Sequence, residues 1–281
     1  MAEFVYRGRR VVYDRAGHGD PIVFIHNAGA QRRIWDDQVA SLRDRYEVFA
    51  LDLPGYGESE QPQGYRLADY VAMLEAFLDE HRLSRVVLVG NCLGSATSLS
   101  FAIGDPARVR GLVLINPLTW NTVRHGDQAP LMWFDRFAPL APLARRLALP
   151  KALVTLIVAN QLGPRGRDRK LQKDARLQAY WTDRGRLLAL DRLVQDFPAF
   201  AALDEFIPGP DFPPICTVWG KRNRILSAAA GARLDRTLCP RERLVLSDCG
   251  HLPMVEDPET VTSAITAFLA GLPATEQHLS R

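Results

Sequence analysis

The chain has 281 residues, is 47% hydrophobic and 24% charged, and carries a formal net charge of +3. That length buries a substantial core, the composition excludes a disordered chain, and so small a charge gives no reason to expect nucleic acid. No stretch reaches the roughly 20 apolar residues of a membrane helix and Met1–Arg10 lacks a signal-peptide core, so a cytoplasmic protein without a membrane partner is expected.

The elements alternate up to Asn116. Phe4–Tyr6 and Val11–Asp14 read as an opening hairpin, and Pro21–His26 as a buried strand. Arg32–Arg45 is a predicted helix with Trp35, Val39 and Leu42 on one face, and Glu47–Leu51 a further strand. Leu67–His81 spaces Leu67, Val71, Leu74 and Leu78 three and four apart, the signature of an amphipathic helix. Val86–Val89 and Leu112–Ile115 are strands again. Such a rhythm implies a parallel sheet covered on both faces.

From Asn116-Pro117 to Pro208 the rhythm is lost, and the pattern is helical, rich in Trp, Phe, Leu and Arg. The predicted division is a core of residues 1–117 and 208–281 and a helical cap of residues 118–207. Between Leu118 and Ile207 there are 14 Lys/Arg and nine Asp/Glu, a net +5 that leaves −2 for the rest. The excess peaks at Arg165–Arg176, which reads as a solvated helix face or as a docking surface for an acidic partner or phosphate-bearing substrate. The sheet resumes at Pro214–Trp219, followed by a helix near Ser227–Leu238, a strand at Arg243–Leu246 and a helix from Pro258 to Leu269.

The most informative stretch is Val86–Gly94, an apolar strand ending in Gly90-Asn91-Cys92-Leu93-Gly94. Here the chain turns sharply from strand to helix. Glycines two before and two after Cys92 are what such an elbow needs, because a Cβ on either would collide. The turn lifts the thiol above the sheet at a helix N-terminus, whose free N–H groups favour negative charge. The other cysteines, Cys216, Cys239 and Cys249, form no Cys-x-x-Cys pair, and Cys249 reads as a small core residue. The six histidines have no metal-ligand spacing and there is no glycine-rich phosphate loop, so neither metal nor cofactor is expected.

In chain order come His26-Asn27-Ala28-Gly29-Ala30, Asp52-Leu53-Pro54-Gly55-Tyr56-Gly57, the elbow at Cys92, Trp219-Gly220-Lys221-Arg222-Asn223, and Gly250-His251-Leu252-Pro253. This series resembles the α/β-hydrolase fold superfamily, a mostly parallel sheet flanked by helices with an inserted helical cap. The resemblance implies Cys92 as nucleophile and His251 as base. It also implies an oxyanion hole made by the N–H of Leu93 and one from the loop after His26, Ala28 being favoured and Asn27 the other candidate. The sequence departs from the pattern at two catalytic positions. The elbow residue is usually serine, and the position of Asn223 usually carries an aspartate.

The two departures are chemically coherent. A serine must lose its proton during attack, and a buried aspartate stabilises the imidazolium that forms. A thiol starts with a far lower pKa, so an amide that only orients the ring suffices, as in Cys-His-Asn proteases. A Cys92–His251–Asn223 triad, with a thiolate–imidazolium pair formed before substrate arrives, is the expectation. Asn116 occupies the other acid position available to this fold, Asp248 lies too close along the chain, and Asp52 reads as structural. A cysteine attacking an acyl carbon makes a thioester, which points to a hydrolase of an ester, lactone or thioester. An acyltransferase or cyclase drawing on coenzyme A or a carrier protein at the basic cap is the alternative, and a non-catalytic scaffold the other. Trp120, Trp133, Phe134, Phe137 and Trp181 are the candidate lining of an apolar acyl pocket.

Overall fold

In the computed structural model residues 1–127, 129, 149–182 and 186–273 are described. Eight strands form one sheet in the order β1-β2-β4-β3-β5-β6-β7-β8. They are β1 (Ala2–Tyr6), β2 (Arg9–Ala16), β3 (Pro21–Ile25), β4 (Glu47–Leu51), β5 (Val86–Asn91), β6 (Val109–Ile115), β7 (Ile215–Gly220) and β8 (Glu242–Leu246). β2 runs antiparallel to β1 and β4, and every pairing from β4 through β3 to β8 is parallel. The predicted mostly parallel sheet flanked by helices is what the chain forms.

The strand period of two distributes the core. Val23 and Ile25 of β3, with Val86 and Leu88 of β5, pack on the face covered by α2 (Leu67–Glu80) and α3 (Leu93–Gly104). Ile22 and Phe24, with Val87 and Val89, pack on the opposite face under α1 (Asp36–Leu42) and the last helix. β5 and β6 are therefore buried at every position, as the unbroken apolar runs predict.

One predicted helix is divided. Arg32–Trp35 is a 3₁₀ turn, and only Asp36–Leu42 is α-helical. The cause is tertiary. The Arg32 backbone N–H donates to Asp52 Oδ1 at 2.7 Å and its guanidinium to Asp52 Oδ2, which draws the chain into a tight turn against β4.

Between β6 and β7 the described chain is helical: α4 (Trp120–Arg124), α5 (Lys151–Gln161), α6 (Pro164–Asp168), α7 (Ala175–Thr182), α8 (Arg186–Asp196) and α9 (Ala201–Glu205). This segment meets the loops that follow β3 and β8: Trp181 lies against Gly29, and Gly163 against Asp248–Gly250. The chain ends with α10 (Ala228–Leu238), α11 (Pro253–Glu256) and α12 (Pro258–Ala270). Among the described residues no helix is long and apolar enough to cross a membrane.

Candidate active site

β5 ends at Asn91 and α3 begins at Leu93, leaving Cys92 between them at φ 51°, ψ −108°. Few non-glycine residues adopt a positive φ, and strained residues of this kind gather at functional sites. Two residues to either side, nothing larger than glycine fits. A Cβ at Gly90 would lie 2.3 Å from the Gly94 carbonyl carbon, and one at Gly94 would lie 2.1 Å from Ile25 O. The elbow is held from below by Cys92 N, which donates to Ile115 O at 3.0 Å.

Cys92 is buried, and its sulfur lies near the backbone N–H groups of Leu93 and Ala28. The loop carrying Ala28 is fixed by His26, whose Nδ1 donates to Asn27 O at 2.8 Å while its Nε2 accepts the Leu53 N–H at 2.9 Å. The Asn27 side chain serves this loop rather than the sulfur: its Nδ2 donates to Ala28 O at 3.0 Å.

His251 follows β8. Its Nδ1 lies 3.2 Å from Asn223 Oδ1, which also accepts the backbone N–H of Ile225 at 3.0 Å and of Leu226 at 3.1 Å. Two backbone donors fix which end of the amide is oxygen. The Nδ1 of His251 must therefore carry the proton, leaving Nε2 as the basic atom. The carbonyl of His251 accepts from Asn91 Nδ2 at 3.2 Å and Asn116 Nδ2 at 3.1 Å, so the residue before Cys92 grips the loop of His251. Asp248 is exposed, and Asp52 is taken up by Arg32 and the Glu58 N–H.

Burial pushes the Cys92 thiol up to about 12, against the pull of the Leu93 and Ala28 N–H groups. Burial also drives His251 down to about 3. Both shifts favour the neutral forms and so run against the expected thiolate–imidazolium pair. The physical reason is that neither charge has solvent, and an amide at position 223 offers the imidazolium no counter-charge.

Tyr56 packs close to Cys92 and stacks on Tyr180 at 5.5 Å, and Tyr180 meets Trp181 edge-on at 5.0 Å. Cys92 thus lies under an aromatic layer. Trp181 and Trp120 are half-buried against the core, while Trp133, Phe134 and Phe137 lie outside the described residues. All four cysteines are free, and Cys249 belongs to the core on the sheet face opposite Cys92.

The family model for the alpha/beta hydrolase fold matches residues 20–258. The chain belongs to the α/β-hydrolase fold family. It is 28% identical over 263 residues to 2-hydroxy-6-oxo-2,4-heptadienoate hydrolase of Pseudomonas putida, covering 90% of each chain. It is 34% identical over 271 residues to a dihydrolipoyllysine-residue acetyltransferase component of the acetoin cleaving system of Cupriavidus necator, covering 94% of this chain and 67% of that one. Among solved structures, a thermophilic esterase from Thermogutta terrifontis superposes with a TM-score of 0.79 at 21% identity, over 95% of this chain and 96% of the esterase. Family and relatives point to a hydrolase enzyme.

Within this α/β-hydrolase, three polar residues hold the site together, of which motif reading weighed only Asn116, as an alternative acid position. Asn91 and Asn116 fasten the His251 carbonyl, and Asn116 Oδ1 also accepts the Gly220 N–H at 3.0 Å. Glu256 is fully buried and accepts N–H groups from Gly163 at 2.7 Å, Gly250 at 2.8 Å and Leu252 at 3.3 Å. It joins the helical segment to the base loop. A local signal existed only for Asn116, an asparagine before proline whose φ of 44° suits that residue type.

Proposed function

We propose that the protein is an acyl-transfer enzyme in which Cys92 is the nucleophile, His251 the base and Asn223 the residue that orients the ring. Water is taken as the acceptor, making it a hydrolase of an ester, lactone or thioester. The observation that carries this reading is the placement of Cys92: its strained elbow brings the sulfur to two backbone donors, from Leu93 and Ala28, that suit a developing oxyanion.

Because the resting pair is neutral, attack is coupled to proton transfer. The thiol proton passes to His251 Nε2 as the sulfur bonds to the acyl carbon, and the carbonyl oxygen takes negative charge facing the N–H groups of Leu93 and Ala28. Collapse expels the alkoxide or thiolate, which recovers the proton from His251 and leaves a thioester on Cys92. His251 then takes a proton from water, hydroxide adds to the thioester, and the carboxylic acid leaves as Cys92 is reprotonated. Helices of residues 118–207 act in this reading as a cap, with Trp181 and Trp120 lining the acyl pocket.

A second reading, transfer to an amine, alcohol or thiol from coenzyme A or a carrier protein, draws support from the acetyltransferase-component relative. Intact mass spectrometry with short acyl thioesters and activated esters tests the common core. An adduct on the wild type and none on Cys92→Ala is expected, and added acceptors then sort hydrolase from transferase. No adduct and no turnover with any donor overturns the proposal in favour of a binding scaffold.

A further inference from the structure

An open groove of about 680 Å³ adjoins the candidate triad on the Asn223 side, between the helical segment and the loop after β7. The volume lies in the roughly 300–1,000 Å³ range of small-molecule sites. Arg167 of α6 lies on one side, and Lys221, Arg222 and Arg224 on the other. Among the described lining residues a single carboxylate, Asp127, stands against these four cations, itself 3.7 Å from Arg224.

The charge here is not the charge the sequence advertises. Three of the six cations in the basic run Arg165–Arg176 are bound elsewhere. Arg165 pairs with Asp257 at 3.2 Å, Arg169 donates to Glu256 O at 2.8 Å, and Arg176 pairs with Asp174 at 2.8 Å. Arg167 gives one N–H to Leu162 O and keeps the rest of its guanidinium for the groove. Lys221 and Arg222 are fastened by their backbones, to Leu246 O and Cys249 O at 2.9 Å each, while among the described residues no partner holds their side chains. They are cations on a fixed loop.

Asn223 is where groove and triad meet. It lines the groove, is only 8% exposed, has its Oδ1 taken up, and its buried Nδ2 finds no acceptor among the described residues. Buried amide donors without a partner are uncommon. A carboxylate at this position would repel an anion from the groove; the amide removes that repulsion and adds a donor. The first turn of the 11-residue α10, capped by Ser227, borders the same space and adds the positive end of its dipole.

We propose that this groove binds the phosphate group of a small-molecule ligand through Arg167, Lys221 and Arg222, with Asn223 beside it. The inference rests on the acyl-transfer reading only in taking that ligand to be the acyl donor. Several cations around one cavity suit a multivalent phosphate better than a lone carboxylate, and arginine matches its oxygens two at a time.

The test titrates the protein with inorganic pyrophosphate at constant ionic strength, by calorimetry and thermal unfolding, with malonate as the carboxylate arm. Saturable pyrophosphate binding is expected, with malonate about tenfold weaker or worse. Lys221→Glu/Arg222→Glu and, on the facing side, Arg167→Glu each weaken pyrophosphate by about tenfold or more, and agreement between the two sides sets aside local unfolding. No saturable binding, equal binding by the reversed variants, or malonate binding as tightly as pyrophosphate overturns the proposal. Cys92→Ala binds pyrophosphate as the wild type does, so failure of the groove and failure of the acyl chemistry are read separately.

Discussion

The two ends of the candidate triad are built from different materials. At the sulfur end the backbone does the work: a strained elbow, two flanking glycines and the N–H groups of Leu93 and Ala28 define the surroundings of Cys92 under an aromatic layer. At the amide end side chains do it, and the site borders an open cationic groove. The contrast explains where substitution is tolerated. Neither Gly90 nor Gly94 takes a side chain without a clash. At position 223, the oxygen that accepts from Ile225 and Leu226 closes the loop equally well on an amide or a carboxylate, so Asn replaces Asp without moving the backbone.

Exchanging Cys92 breaks the comparison hardest. Cys92→Ala is expected to lose on the order of 10⁴ or more in kcat on an activated ester. Cys92→Ser stays near that floor, because an alcohol needs the imidazolium that Asn223 leaves unstabilised. Adding Asn223→Asp to Cys92→Ser recovers roughly 10²-fold or more. A double variant no better than Cys92→Ser would show that the amide is not what ties this site to a thiol.

Asn223→Asp alone sharpens the other end. An adjacent carboxylate raises the pKa of His251 from about 3 by roughly 1–3 units, read from the imidazole signals in an NMR titration. An unmoved resonance would mean that the introduced carboxylate does not face the ring.

Stability against pH separates the groups on either side of the base loop. His251 is lowered from 6.5 to about 3, so between those values only the unfolded chain binds its proton, and stability falls as pH drops below 6.5. Burial raises Glu256 from 4.5 to about 7, so its folded form holds a proton the unfolded chain has lost, and stability falls as pH rises through that window. The two slopes oppose each other between 4.5 and 6.5. Glu256→Gln removes the second. Its unfolding free energy relative to wild type should climb with pH from 4.5 to 7, by at most about 1.4 kcal/mol per unit in urea titrations. A flat difference would show that Glu256 is ionised throughout.

The smallest effect is one of order. At pH 6, iodoacetamide should modify exposed Cys239 before buried Cys92, followed by peptide mass mapping. Cys92 reacting first would restore the pre-formed ion pair.

What was legible in the sequence is what depends on neighbours along the chain. Apolar runs gave the strands, and the spacing of Gly90, Cys92 and Gly94 gave the elbow. Arg32–Arg45 misled because its break is imposed by Asp52, twenty residues away. The charge state of Cys92 and His251 was illegible because it depends on burial assembled from β5, β8 and the helices above them. The roles of Asn91, Asn116 and Glu256 were hidden for a related reason: a polar residue looks alike whether it faces water or clasps a loop. The groove joins residues around 125, 160 and 221–228, which no local pattern connects.

One junction couples the helical segment to the loop of His251. Gln161 O accepts the His251 N–H at 2.7 Å, Glu256 binds Gly163 and Gly250 together, and a Cβ on Gly250 would lie 2.5 Å from Gln161 O. At this corner the helical segment between β6 and β7 is tied to the loop that carries His251, so a strain in one is passed to the other, while at another corner of the same segment Trp181 rests on Gly29.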